Sequence, residues 1–170
     1  MGNIVLIGFM GCGKSSVGKK LAEKMDYCFC DVDRVIERDN KKSISEIFET
    51  KGEEYFRELE TKTVKKLINT VNNCIISVGG GLPIKNGNGE LLKKLGTVVF
   101  LKVQKNTVLK RLEYDKTRPL LASDDRDKRI EELLLYREPI YSSIADIVVE
   151  VDNKEFNQIL DEICNNLNII

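Results

Sequence analysis

The chain has 170 residues, enough for one domain with a sizeable core. Apolar residues make up 42% and charged residues 32%, and 27 basic side chains offset 27 acidic ones, so no overall charge draws a nucleic acid. The longest apolar runs fall short of the roughly 18 residues that a membrane span needs, and with no histidine anywhere the chemistry must rely on groups other than imidazole.

In chain order, Asn3 to Ile7 is an apolar strand at the very start, so no signal peptide is expected. It runs into Gly8-Phe9-Met10-Gly11-Cys12-Gly13-Lys14-Ser15, which matches G-x-x-x-x-G-K-[ST] at every fixed position, and then into a helix-like stretch from Lys14 to Met25. Glycines let backbone N–H groups turn inward as a nest, and the helix adds its positive end. Lys14 is placed to reach outer phosphates and Ser15 to ligate magnesium, so the expected ligand is a nucleoside triphosphate with Mg2+.

A second strand, Tyr27 to Cys30, ends in Asp31-Val32-Asp33. If the chain is still extended there, both carboxylates point to one side, Asp31 toward the metal and Asp33 toward a substrate hydroxyl. The plain alternative is that Asp33 caps a helix beginning at Arg34. Ser43-Ile44-Ser45-Glu46 reads as a capping box, and Glu53 to Val71 as a long charged helix. On it Phe56, Arg57 and Glu60 lie three and four apart, sharing one side, either as a site or as a solvated ion pair.

The third strand, Cys74 to Val78, carries no acid, and Gly79-Gly80-Gly81 follows it at the edge where ligands sit in such sheets. Asn86-Gly87-Asn88-Gly89 reads as a flexible loop. Next come helix-like Glu90 to Leu95, a strand from Val98 to Val103, and a helix from Thr107 to Glu113. Lys116-Thr117-Arg118-Pro119-Leu120-Leu121 reads as a lid carrying Arg118 to the transferring phosphate, against an ordinary surface loop. A helix from Arg126 to Ile144 contains Arg137 just before Pro139, where the plain alternative is a surface arginine near a kink. A fifth strand, Asp146 to Val151, and a helix from Phe156 to Leu167 close the chain. Strands alternating with helices predict an α/β fold, a parallel sheet covered on both faces. The five cysteines, odd in number and without metal spacing, predict neither a disulfide framework nor a zinc site, and a reduced cytoplasmic protein is expected.

Taken in order, these motifs resemble the shikimate kinases from Ile4 to about Val151. The resemblance rests on GxxxxGKS at Gly8 to Ser15, DxD at Asp31 and Asp33, and GExxFRxxE at Gly52, Glu53, Phe56, Arg57 and Glu60. It continues with GGG at Gly79 to Gly81, RPLL from Arg118, and RxPxYxxxAD from Arg137 to Asp146. It implies a three-layer, doubly wound five-stranded parallel sheet of order 2-3-1-4-5, a P-loop kinase with a mobile lid. One domain spans 1–170, with its core at 1–111 and 126–170, a lid at about 112–125 and a substrate-binding helical region at about 33–60.

The implied reaction moves the γ-phosphate of ATP to the 3-hydroxyl of shikimate, giving shikimate 3-phosphate and ADP on the route to chorismate and the aromatic amino acids. Asp33, Lys14 and Arg118 are implied in catalysis. Asp33, Arg57, Gly79, Gly80, Gly81 and Arg137 would bind shikimate, with Phe48 and Phe56 as walls and Glu60 holding the arginines. ATP would lie on Gly11, Cys12, Gly13, Lys14, Ser15, Ser16, Arg111 and Arg118, with Mg2+ attended by Ser15 and, through water, Asp31. A monomer is expected, with no nucleic-acid or membrane partner. The rival reading is another small-metabolite kinase of this fold, acting on gluconate or a nucleoside monophosphate. After the fifth strand the family often carries a basic, proline-containing loop. Asp152-Asn153-Lys154-Glu155 lacks it, so no adenine contact is assigned there.

Overall fold

A computed structural model of the chain describes residues 2–113 and 125–168. Five parallel strands, β1 (Asn3–Ile7), β2 (Cys28–Asp31), β3 (Cys74–Ser77), β4 (Gly96–Lys102) and β5 (Ile147–Glu150), form one sheet of order β2-β3-β1-β4-β5. This is the expected α/β order. Strand β1 is buried along its whole length because it lies mid-sheet with helices on both faces. On one face α1 (Lys14–Met25) packs with α7 (Phe156–Asn166). On the other, α4 (Asn88–Leu95) and α6 (Arg126–Ile144) cover the sheet, and α3 (Ile44–Ile68) packs on α4. Helices α2 (Val32–Asn40) and α5 (Lys105–Leu112) complete the set among the described residues.

The buried Asn3 ties the entry ends of the strands together. Its amide donates to Val71 O and Leu95 O at 3.1 and 3.0 Å, and its Oδ1 accepts from Cys74 N at 3.1 Å. A buried amide with every such bond made costs little and pins register.

Three local expectations change. The capping box at Ser43 forms and opens a short helix as expected; at Gly52, φ 83° and ψ 171° break the α geometry and divide α3 into that short helix and the longer one from Glu53. Only glycine adopts that conformation readily. Asn88 is not part of a flexible loop. It begins α4 and is buried, accepting from Thr61 Oγ1 at 3.0 Å and donating to Leu82 O at 2.8 Å. The helix after β2 begins at Val32 rather than Arg34, and its cap is Asp31, whose side chain accepts from Asp33 N at 3.1 Å. Finally, Cys28 and Cys74 are direct partners on β2 and β3, with Cα atoms 4.5 Å apart and their sulfurs within reach of a disulfide. The count of cysteines hid this pair, because strand register brings together residues 46 apart in the chain.

Candidate active site

The ends of β1, β2 and β3 open onto a cavity of about 620 Å³ lined by Gly11, Gly13, Lys14, Ser15, Ser16, Asp31, Asp33, Gly79 and Gly80, among others. Gly13 caps α1 with φ 98°, a left-handed conformation that turns the loop into the helix and leaves the first helical N–H groups facing the cavity. Lys14 Nζ donates to Gly8 O at 2.8 Å and Phe9 O at 2.9 Å, so its ammonium is held over the loop by the loop's own carbonyls. Arg111 Nη1 donates to Gly11 O at 2.9 Å, placing a second cation at the loop's rim. Cys12 is buried, with its Sγ 3.6 Å from Lys14 Nζ and packed toward Gly8. Unlike its neighbours Gly11 and Gly13, Cys12 does not line the cavity.

Ser15 Oγ donates to Asp31 Oδ2 at 3.0 Å. Asp31 therefore has two roles, helix cap through Oδ1 and partner of the P-loop hydroxyl through Oδ2. This hydroxyl–carboxylate pair fits Mg2+, which takes one or two protein ligands and completes its shell with water and phosphate oxygens. Among the described residues no cluster of three or more acidic or cysteine side chains could hold a metal. Asp33, in the first turn of α2, lines this cavity together with Asp31. The shared direction comes from the strand-to-helix junction and not from a continuing strand.

An adjoining cavity lies between α2, α3, α6 and the loop after β3. It is lined by Met10, Asp33, Ile44, Phe48, Phe56, Arg57, Glu60, Arg137 and the three glycines. The Phe48 and Phe56 rings meet at 4.9 Å between centroids, forming an apolar wall. Arg57 is gripped by two carboxylates of its own helix. Nη1 reaches Glu60 Oε2 at 2.7 Å, while Nη2 and Nε reach Glu53 Oε1 at 2.9 and 3.3 Å. Glu60 is completely buried, so this is no solvated ion pair. Burial pushes the Glu60 carboxyl up to about 7 against the pull of Arg57, with Asp33 adding to the rise and Arg137 opposing it.

Arg137 is only 5% exposed, which removes the surface reading. Its Nε and Nη1 have no hydrogen-bond partner among the described residues. Four residues on, Tyr141 donates from its hydroxyl to Gly80 O, and burial lifts its phenol to about 12 despite the nearby Arg137 charge. The glycine run makes room for these charged groups. A Cβ on Gly79 would lie 2.6 Å from Glu60 Oε1 and 3.2 Å from Asp33 Oδ1, and one on Gly81 would fall on the Arg57 guanidinium. The glycines thus admit side chains as well as any ligand.

Glu53, until now only a motif residue, and Tyr141, within the RxPxYxxxAD run, also border this site. Each is one helical turn from its arginine. Of the lid expected at about 112–125, residues 114–124, Arg118 among them, lie outside the described residues. After β5, Asp152 accepts from Gln104 N at 2.9 Å and Lys154 pairs with Glu162. Both bonds hold that connection to the fold.

A sequence profile described as shikimate kinase matches residues 10–168. The chain belongs to the shikimate kinase family. Curated shikimate kinases from Sulfurihydrogenibium sp. and Caldanaerobacter subterraneus are 46% and 42% identical over 163 residues. Those alignments cover 96% of this chain and 96% and 94% of the relatives. Among solved structures, a shikimate kinase from Acinetobacter baumannii in complex with shikimate superposes with a TM-score of 0.94 at 34% identity. That match covers 99% of this chain and 93% of the other. A gluconokinase from Sinorhizobium meliloti, at 18% identity and TM-score 0.63, shares the fold alone.

Proposed function

We propose that this member of the shikimate kinase family transfers the γ-phosphate of ATP to the 3-hydroxyl of shikimate, yielding shikimate 3-phosphate and ADP. The observation that carries this reading is Arg137, a buried guanidinium with two donors unmatched among the described residues, set in the same cavity as Asp33. A buried cation with open donors calls for an anionic ligand. The cavity offers that cation an apolar wall, a second arginine and a carboxylate, which suits a small hydroxylated ring acid.

In this reading the carboxylate of shikimate docks on Arg137 and Arg57, and the ring lies against Phe48 and Phe56 beside Gly79, Gly80 and Gly81. Asp33 accepts the proton of the hydroxyl that attacks. The triphosphate lies on the backbone of Gly11 to Ser16, with Arg111 at the rim. Lys14 leaves Gly8 O and Phe9 O to meet the outer phosphates, and Arg118 meets the transferring phosphoryl. Mg2+ fits Ser15 and, through water, Asp31, where it would neutralise phosphate charge. Glu60 and Glu53 hold Arg57 in place. We place the enzyme in the cytoplasm, where its ATP is made, acting as a monomer without nucleic-acid or membrane partners. No helix among the described residues is long and apolar enough to cross a membrane.

The test offers shikimate, gluconate and AMP separately with MgATP and identifies the phosphorylated product. ADP release that depends on shikimate alone, with shikimate 3-phosphate formed, is expected. Equal or greater turnover with gluconate or AMP would overturn the reading.

A further inference from the structure

Among the described residues, the acceptor cavity is lined by two cationic and two acidic side chains. Arg57 and Arg137 bring two positive charges, and Asp33 and Glu60 bring two negative ones. Glu53 meets Arg57 from a separate face near Lys85 and Tyr136 and does not line this cavity. A carboxylate ligand that docks on Arg57 adds a negative charge beside the fully buried Glu60 and competes with it for that guanidinium. A buried charge left poorly paired is costly.

The geometry singles out Glu60 between the two acids. Glu60 has no exposed surface, and its Oε2 is bonded to Arg57. Its Oε1 is buried without a hydrogen-bond partner among the described residues. That oxygen borders the small volume above Gly79 that Asp33 Oδ1 also borders, 2.6 and 3.2 Å from where a Cβ would stand. An oxygen so placed gains most from a proton, because an O–H there has a carboxylate within the same small volume. We propose that Glu60 takes up a proton from solvent when the substrate carboxylate docks on Arg57 and Arg137. The docking and the protonation are one linked event, and this inference rests on the carboxylate clamp proposed above.

The charged groups facing Glu60 agree with this direction. On its own helix Arg57 stabilises the anion, and the incoming carboxylate draws on that same guanidinium. From α2, Asp33 repels the anion, and from α6, Arg137 attracts it until the ligand claims it. Tyr141, beyond Arg137, is a neutral phenol across the working pH range. The turn after Gly81 brings no charge into the cavity, and α4 meets α3 through the neutral pair Thr61 and Asn88. With burial already holding the Glu60 carboxyl at about 7, a small further push completes its protonation at neutral pH. The protonated side chain then donates from Oε1 toward Asp33. That bond holds Asp33 in place for the substrate hydroxyl while the Asp33 negative charge is kept.

Calorimetric titration of the full chain with shikimate, without ATP, tests this in buffers of different ionisation enthalpy. At pH 8 the expected uptake approaches one proton per shikimate bound, and at pH 5.5 it falls toward zero because Glu60 is then protonated beforehand. Affinity should correspondingly weaken by up to about tenfold per pH unit above neutrality. Glu60→Gln should bind shikimate with no proton uptake and a flat pH profile. Binding without uptake at pH 8, or uptake that persists in Glu60→Gln, overturns the proposal while leaving the clamp standing. Failure of the wild type to bind shikimate overturns the clamp itself. If Glu60→Gln does not fold, infrared difference spectra of the wild type decide. Shikimate should produce a new protonated-carboxyl C=O band at pH 8, and no such band means no protonation.

Discussion

The two halves of the site are built by different means. The phosphate half is one stretch of chain, Gly8 to Ser16, whose backbone forms the cradle and whose lysine is already bonded to the loop's own carbonyls. The acceptor half draws Asp33 from α2, Arg57 and Glu60 from α3, three glycines from the end of β3 and Arg137 from α6. Among the described residues its cation Arg137 keeps open donors, whereas Lys14 does not. Phosphate binding thus needs only local chain geometry. Recognition of one particular acid needs side chains from distant elements, held at fixed places by buried partners.

Substitutions should separate the halves. The largest effect is expected from Asp33→Asn, which keeps the shape and removes the carboxylate that takes the hydroxyl proton in this reading. Turnover should drop by roughly 10²–10⁴-fold while MgATP affinity stays within a few-fold. Steady-state rates with nucleotide titration check this, and near-normal kcat would remove Asp33 from the chemistry.

Arg137→Ala should come next, weakening shikimate by about 2–5 kcal/mol, with Arg137→Lys also harmful because an ammonium offers no planar fork. ATP affinity without shikimate should be unchanged. An amide analogue of shikimate sharpens the point, since the wild type should discriminate strongly between acid and amide and the variant much less. Full discrimination retained in Arg137→Ala would place the clamp elsewhere.

A smaller effect is expected from Gly81→Ala. Its new methyl group would occupy the Arg57 guanidinium position, and forced repacking costs about 1–3 kcal/mol. The KM for shikimate should rise by about tenfold or more with the KM for ATP unmoved. Equal changes in both would show that the two halves are mechanically coupled.

The smallest effect concerns stability. The Glu60 carboxyl sits at about 7 in the fold against 4.5 in the unfolded chain. Between those values the folded state holds the extra proton, so this contribution is full below 4.5 and is lost as pH rises through 7. Denaturant melts of the ligand-free chain should lose about 1–3 kcal/mol across that window, and Glu60→Gln should flatten the loss. A wild-type profile with the opposite slope, uncorrected by Glu60→Gln, would place the proton elsewhere.

Much of this was open to reading in the sequence because it depends on near neighbours. The P-loop consists of adjacent residues, the strand–helix alternation prescribes a parallel sheet, and the motif series carries the family. Arg57 and Glu60 are one turn apart, so their meeting follows from helix geometry alone. Other features depend on which elements lie side by side. Pattern could not say whether Arg137 faced water or the core, since an arginine before a proline suits either. Asp31 took the capping role foreseen for Asp33 because the helix starts two residues earlier than expected. The register of β2 against β3 set Cys28 beside Cys74, and the packing of α2 and α3 against the glycine run set Glu60 beside Asp33. Local order is set by bonded geometry and short-range hydrogen bonds, which the sequence contains. Burial, charge pairing and the protonation of Glu60 depend on the low-dielectric space that forms only when distant segments close around it.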